Sequence, residues 1–94
     1  MIEVVSRYGE VTASGHAGYA PKGQDIVCSA VSILLYTLIA ALGDDVIDLR
    51  MEEGDSMVKW KATKVTNIKA GVVNEGFRLL AQGYPAYISY RFVK

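Results

Sequence analysis

Sulfur and imidazole are scarce in this chain: its 94 residues carry one cysteine, Cys28, and one histidine, His16. A lone cysteine closes no intrachain disulfide, so packing has to stabilise the fold. One thiol and one imidazole do not supply the four ligands of a structural zinc site, and the sequence calls for no metal or other cofactor. Net charge is missing as well. Ten basic residues cancel ten acidic ones, which leaves no overall field to hold a phosphate backbone and argues against nucleic-acid binding. A secretory signal would open on an apolar stretch, but Glu3 and Arg7 interrupt the first residues. A cytoplasmic protein is the expectation.

What is present fits a compact domain. Apolar residues make up 51% of the chain, enough for one modest core, and no repeat, linker or low-complexity tract divides residues 1–94. The longest apolar run, Ile26 to Leu42, would span roughly 26 Å as a helix at ~1.5 Å per residue, the short end for a bilayer. Cys28, Ser29, Ser32 and Thr37 interrupt it, and Asp25, Asp44 and Asp45 flank it where an oriented membrane helix would carry Lys or Arg. A buried core helix is the better reading, and no membrane partner is expected.

The remaining segments alternate. Ile2–Tyr8 and Glu10–Gly15 flank Gly9 as a hairpin, and Gly15–Gly23 reads as a mobile surface loop. Asp25 is placed to cap the helix from Ile26, and Gly43 to stop it. Ile47, Leu49 and Met51 would share one strand face, and Val58, Trp60 and Ala62 another, with Gly54-Asp55 between the two strands. Ile68, Val72, Val73, Leu79 and Leu80 recur at helical spacing up to Gln82, with Gly83 as the stop. A last strand, Ala86–Lys94, puts Ile88, Tyr90 and Phe92 on one face. The order β-β-α-β-β-α-β predicts a single α+β domain, a mostly antiparallel sheet with two helices on one face. The aromatics of the last segment, Tyr84, Tyr87, Tyr90 and Phe92, point to a homodimer contact.

The chemistry gathers at Cys28. With Asp25 as the cap, Cys28 falls in the first helical turn, where unpaired backbone N–H groups and the helix dipole favour an anion. A nucleophilic cysteine works as a thiolate and needs a base, and His16 is the only imidazole available. Acyl transfer follows: Cys28 attacks a carbonyl, His16 carries the proton, and first-turn N–H groups bind the oxyanion. Asp25 has two open roles, capping the helix or orienting His16. Ser32, one turn beyond Cys28, is placed to touch the site, and Gly15, Gly18 and Gly23 would let the intervening loop move. The plainer reading of each residue is a small buried hydrophobe for Cys28 and a solvated loop side chain for His16. Lys59, Lys61 and Lys64 around Trp60 could form an RNA patch, but an alternating solvated strand explains them better.

At these residues the chain resembles the ribosomal-processing cysteine proteases, the Prp or YsxB-like family. Gly15-His16-Ala17, Gly23, and Asp25-Ile26-Val27-Cys28 through Ala30-Val31-Ser32 follow that family's pattern, as do the overall length and Tyr84-Pro85 before the last strand. The spacer Tyr19-Ala20-Pro21-Lys22 and Ser29 depart from it. The resemblance implies a protease that removes a short N-terminal extension from a large-subunit ribosomal protein, with phage structural proteins of similar motif as further substrates. It implies a homodimer, Cys28 as nucleophile, His16 as base, supporting roles for Asp25 and Ser32, and Gly15–Gly23 as the substrate loop. The rival expectation is a non-enzymatic ribosome-associated or partner-binding module that uses exposed aromatics and the three lysines.

Overall fold

The structure, a computed structural model, describes residues 1–94. The elements follow the expected order: β1 (Ile2–Arg7), β2 (Glu10–Ser14), α1 (Ile26–Leu42), a 3-10 turn (Gly43–Asp45), β3 (Val46–Glu52), β4 (Asp55–Trp60), α2 (Lys64–Gly83) and β5 (Ile88–Val93). The strands form one sheet in the order β3-β4-β2-β1-β5. Neighbours are antiparallel except β1 and β5, which run parallel with α2 in the connection that returns the chain.

Alternation explains which face is covered. Ile2 and Val4, Val11 and Ala13, Val58 and Trp60, and Ile88 are buried on one face of the sheet, while Glu3, Arg7, Lys59 and Arg91 are exposed between them. Both helices pack on the apolar face. Val27, Val31, Leu35, Leu38 and Leu42 of α1 and Ala70, Val73 and Phe77 of α2 complete a single core. The long apolar run is therefore a core helix with one face buried. Phe77 stacks on Tyr90 at 6.1 Å, and the buried Ser6 hydroxyl donates to Asn74 at 2.7 Å, tying β1 to α2. Lys59, Lys61 and Lys64 are solvated, while Trp60 is buried on the opposite side of its strand.

Four local expectations need correction. Helix α2 starts at Lys64 rather than near Ile68, because Thr63 and Thr66 exchange side-chain and backbone hydrogen bonds in a capping box. Its buried face is Thr66, Ala70, Val73 and Phe77, so Ile68, Val72 and Leu79 lie on the exposed side. In β3 a register shift between Val46 and Asp48 leaves Ile47 outside the ladder and 70% exposed, and Val46 takes the place opposite Trp60. Tyr84, Tyr87 and Tyr90 are half-buried against the core, which leaves Phe92 as the exposed aromatic of the last segment.

Candidate active site

Cys28 owes its position to Asp25. Asp25 adopts an extended backbone, φ −85° and ψ 103°, and its Oδ1 accepts the N–H groups of Val27 and Cys28, each at 3.0 Å. The first turn of α1 is thereby fixed with Cys28 at its third position, half-buried. The other carboxylate oxygen, Oδ2, accepts from Tyr19 at 3.1 Å and Ala20 at 3.4 Å. The Cys28 N–H most of all holds this carboxyl below the usual carboxylate range, burial opposes it, and the amides of Ala20, Tyr19 and Val27 add to the lowering.

These bonds settle the geometry of Asp25. It is the helix cap and makes no hydrogen bond to His16, because both oxygens serve backbone amides. They also correct the expected oxyanion site. Val27 and Cys28 donate to Asp25 Oδ1, and Ser29 donates to the Asp25 carbonyl at 3.1 Å. First-turn amides at these positions are occupied rather than open to a substrate.

His16 is placed from a distance. It follows the end of β2 in a loop that has no regular structure, and it is exposed. Its ring rests against Gly54 in the β3–β4 turn. The preceding residue, Gly15, donates its N–H to the Gly54 carbonyl at 3.0 Å. Gly15 has φ +91°, and a Cβ there would collide with the Met1 carbonyl oxygen, so the chain passes close to the start of β1 only because this residue is glycine.

The loop expected to be mobile is tethered along its length. Besides the Asp25 bonds, the Tyr19 ring meets Tyr84 at 5.7 Å and Tyr87 at 5.1 Å, both edge-on. Lys22 Nζ pairs with Glu53 Oε2 at 3.2 Å, closing the loop onto the same turn that supports His16.

Cys28 and His16 line one open cavity of about 370 Å³, and no hydrogen bond joins them across it. Every residue assigned to the protease site from the sequence borders this cavity: Asp25, Ser32, Gly15, Gly18 and Gly23 with the pair itself. Ser32 is exposed one turn beyond Cys28, and Val31 and Leu35 supply an apolar wall. The sequence reading missed the opposite wall, formed by Glu52, Glu53, Gly54 and Asp55. Periodicity marked those residues only as a turn. Their role in the site depends on β4 pairing with β2, which carries the turn beside Gly15 and His16. Chemically, the cleft offers one thiol, one imidazole and an acidic rim, with no cluster of three metal-ligating side chains.

Comparison with known proteins shows the family. The sequence model of the family described as cysteine protease Prp matches residues 1–89. The ribosomal processing cysteine protease Prp of Mycoplasma pneumoniae is 34% identical, with 96% of this chain and 93% of that protein covered. A crystal structure of the ribosomal processing protease Prp from S. aureus, with a covalently linked product peptide, superposes with a TM-score of 0.83. It is 18% identical and covers 99% of this chain and 100% of its own. A Streptococcus mutans protein of 27% identity superposes with a TM-score of 0.73 over 98% of this chain and 91% of its own.

Proposed function

The chain belongs to the cysteine protease Prp family, and from that premise we propose that it removes the short N-terminal extension of a large-subunit ribosomal protein, with Cys28 as nucleophile and His16 as general base. The observation that carries the residue assignment is that the only thiol, fixed in the first turn of α1, and the only imidazole border the same cavity. A peptide substrate fits a cleft of this size. It also fits the product peptide that is covalently linked in the S. aureus protein, and the ribosomal processing role named for the Mycoplasma relative supports the choice of substrate. Phage structural proteins with a similar motif belong to the same substrate class.

The steps follow from the groups present. His16 takes the Cys28 thiol proton, and Sγ attacks the scissile carbonyl carbon to form a tetrahedral adduct. The adduct collapses to a thioester as the C–N bond breaks, and the leaving amine takes its proton from the His16 imidazolium. Water activated by His16 then hydrolyses the thioester and restores the thiol. Asp25 supports this sequence by holding the Cys28 turn, and Ser32 stands where substrate passes. The Gly15–Gly23 loop acts as the substrate loop. His16 and Cys28 are unbonded in the free protein, and catalytic hydrogen bonds of this kind tighten once substrate lies between the two groups.

The rival binding module loses force from the burial of Trp60, which removes the aromatic from the Lys59–Lys61–Lys64 surface. We assign the protein to the cytoplasm on the strength of its ribosomal substrate class. We also assign it a homodimer, placed on the helices rather than on the last strand. Ile33 and Tyr36 of α1 and Ile68, Val72 and Leu79 of α2 are each more than half exposed, an apolar surface that a second copy would cover. Sedimentation at micromolar concentration tests that state, and Val72→Glu should shift a dimer toward monomer.

The function itself is tested with two peptides, one spanning such an extension and its cleavage site, the other a scramble of it. Mass spectrometry should find a single cut in the first and none in the second. Equal cutting of both peptides would remove the substrate assignment.

A further inference from the structure

His16 is exposed to solvent, and none of the side-chain hydrogen bonds of the structure involves its imidazole. Two side-chain torsions alone would leave such a ring free to sweep the mouth of the cleft. On one side it meets the backbone of Gly54. A Cβ built on Gly54 would stand 2.7 Å from His16 Nε2 and 3.1 Å from Cε1, well inside van der Waals contact. The ring therefore occupies space that any other residue in this turn would fill. The backbone nearby is joined too, through the Gly15 N–H and the Gly54 carbonyl at 3.0 Å. Lys22 reaches Glu53 of the same turn from the far end of the loop.

We propose that Gly54 is a positioning residue for the general base, its absent side chain forming the seat that holds the His16 imidazole on the cavity wall opposite α1. This rests on the reading of His16 as the base. The β3–β4 turn is then part of the active site without touching the reacting atoms. A side chain at position 54 collides with the tip of a solvent-exposed ring, which can swing away at little cost to the fold. The penalty thus falls on where the imidazole stands, and misplacement by about 1 Å can cost on the order of 10²-fold in rate.

A second effect has to be separated from this one. Gly54 has φ +74°, so alanine there also strains the turn. Asparagine tolerates that backbone better and still carries a Cβ into the ring. Gly43, at the end of α1 and remote from the cavity, has φ +56° with nothing within 4 Å of an added Cβ. Gly43→Ala therefore reports backbone strain alone.

The experiment combines cleavage of the extension peptide with proton NMR of the imidazole, which gives one Hε1 signal because the chain has one histidine. In Gly54→Asn the Hε1 resonance should move, and kcat should fall by about 10-fold to 100-fold. KM should change little, and the thermal midpoint should stay near that of Gly43→Ala. Gly43→Ala should leave both the resonance and the cleavage rate unchanged. If Gly54→Asn keeps the wild-type Hε1 resonance and kcat while His16→Ala is inactive, the seat is wrong and the base assignment stands. If His16→Ala cleaves at the wild-type rate, the base assignment fails, and the proposal fails with it.

Discussion

Cys28 and His16 border the same cavity, yet different parts of the chain hold them in place. Cys28 sits three residues from the carboxylate that fixes it, in a helix turn whose amides are hydrogen-bonded to Asp25. His16 sits on an exposed loop and takes its position from Gly54, in a turn far along the chain that β-sheet pairing brings beside it. Cys28 is thus held by a rigid local structure, whereas His16 depends on a long-range contact. Substitutions near Cys28 in sequence should disturb the nucleophile, while the base should be most sensitive to the β3–β4 turn.

The sharpest break in this comparison is removal of either group. Cys28→Ala should abolish cleavage of the extension peptide outright, because no second thiol exists to replace it. His16→Ala should slow cleavage by ~10²–10⁴-fold, the usual contribution of a positioned general base. Initial rates followed by mass spectrometry measure both. A smaller effect is expected at Asp25, which serves both sides. Asparagine offers one carbonyl oxygen where the carboxylate offers two, so Asp25→Asn should retain the amides of Val27 and Cys28 but release those of Tyr19 and Ala20. Hydrogen exchange should then quicken at Tyr19 and Ala20 and stay slow at Val27 and Cys28, with the cleavage rate down by about 10-fold. Equal acceleration at all four amides would show that the cap and the loop tether do not separate.

Acidification tests the same carboxylate without mutation. The folded chain holds Asp25 below its ordinary value of 3.8, so folding favours the ionised form. That contribution to stability is complete above about pH 4 and is lost as pH falls through the folded value. Thermal unfolding followed from pH 6 downward should show the loss in the wild-type protein, with a shallower decline in Asp25→Asn. The smallest effect belongs to the Lys22–Glu53 pair. Its side chains are 84% and 63% exposed, and solvent screens such pairs strongly. Lys22→Ala should change the cleavage rate by no more than about twofold, and added salt should abolish even that difference.

The same division sets how much the sequence revealed. The start of α1 was legible because Asp25, the apolar run and Gly43 are local signals that agree with the packing. Element order was legible from alternation and glycine turns. The buried face of α2 was not, because Ile68, Val72 and Leu79 form as good an apolar stripe as Ala70, Val73 and Phe77. Contact with Tyr90 and the sheet decides between the two stripes, and that contact exists only in the folded chain. The early start of α2 was encoded in Thr63 and Thr66, but a capping box built from two threonines lacks the usual Glu or Gln. At the cleft, composition singled out His16 and Cys28, and the fold brings both to one cavity. Gly54 looked like any hairpin glycine until the sheet placed it under the imidazole.

If the proposed mechanism holds, Cys28 becomes acylated by the substrate while His16 moves the proton. The direct measurement is intact-protein mass spectrometry of samples quenched in acid during turnover of the extension peptide. One added mass is expected, equal to that of the N-terminal product less one water, mapping to Cys28 and absent in Cys28→Ala. In His16→Ala the adduct should form far more slowly. Product release at the wild-type rate in Cys28→Ala, with no covalent adduct at any stage, would contradict that mechanism.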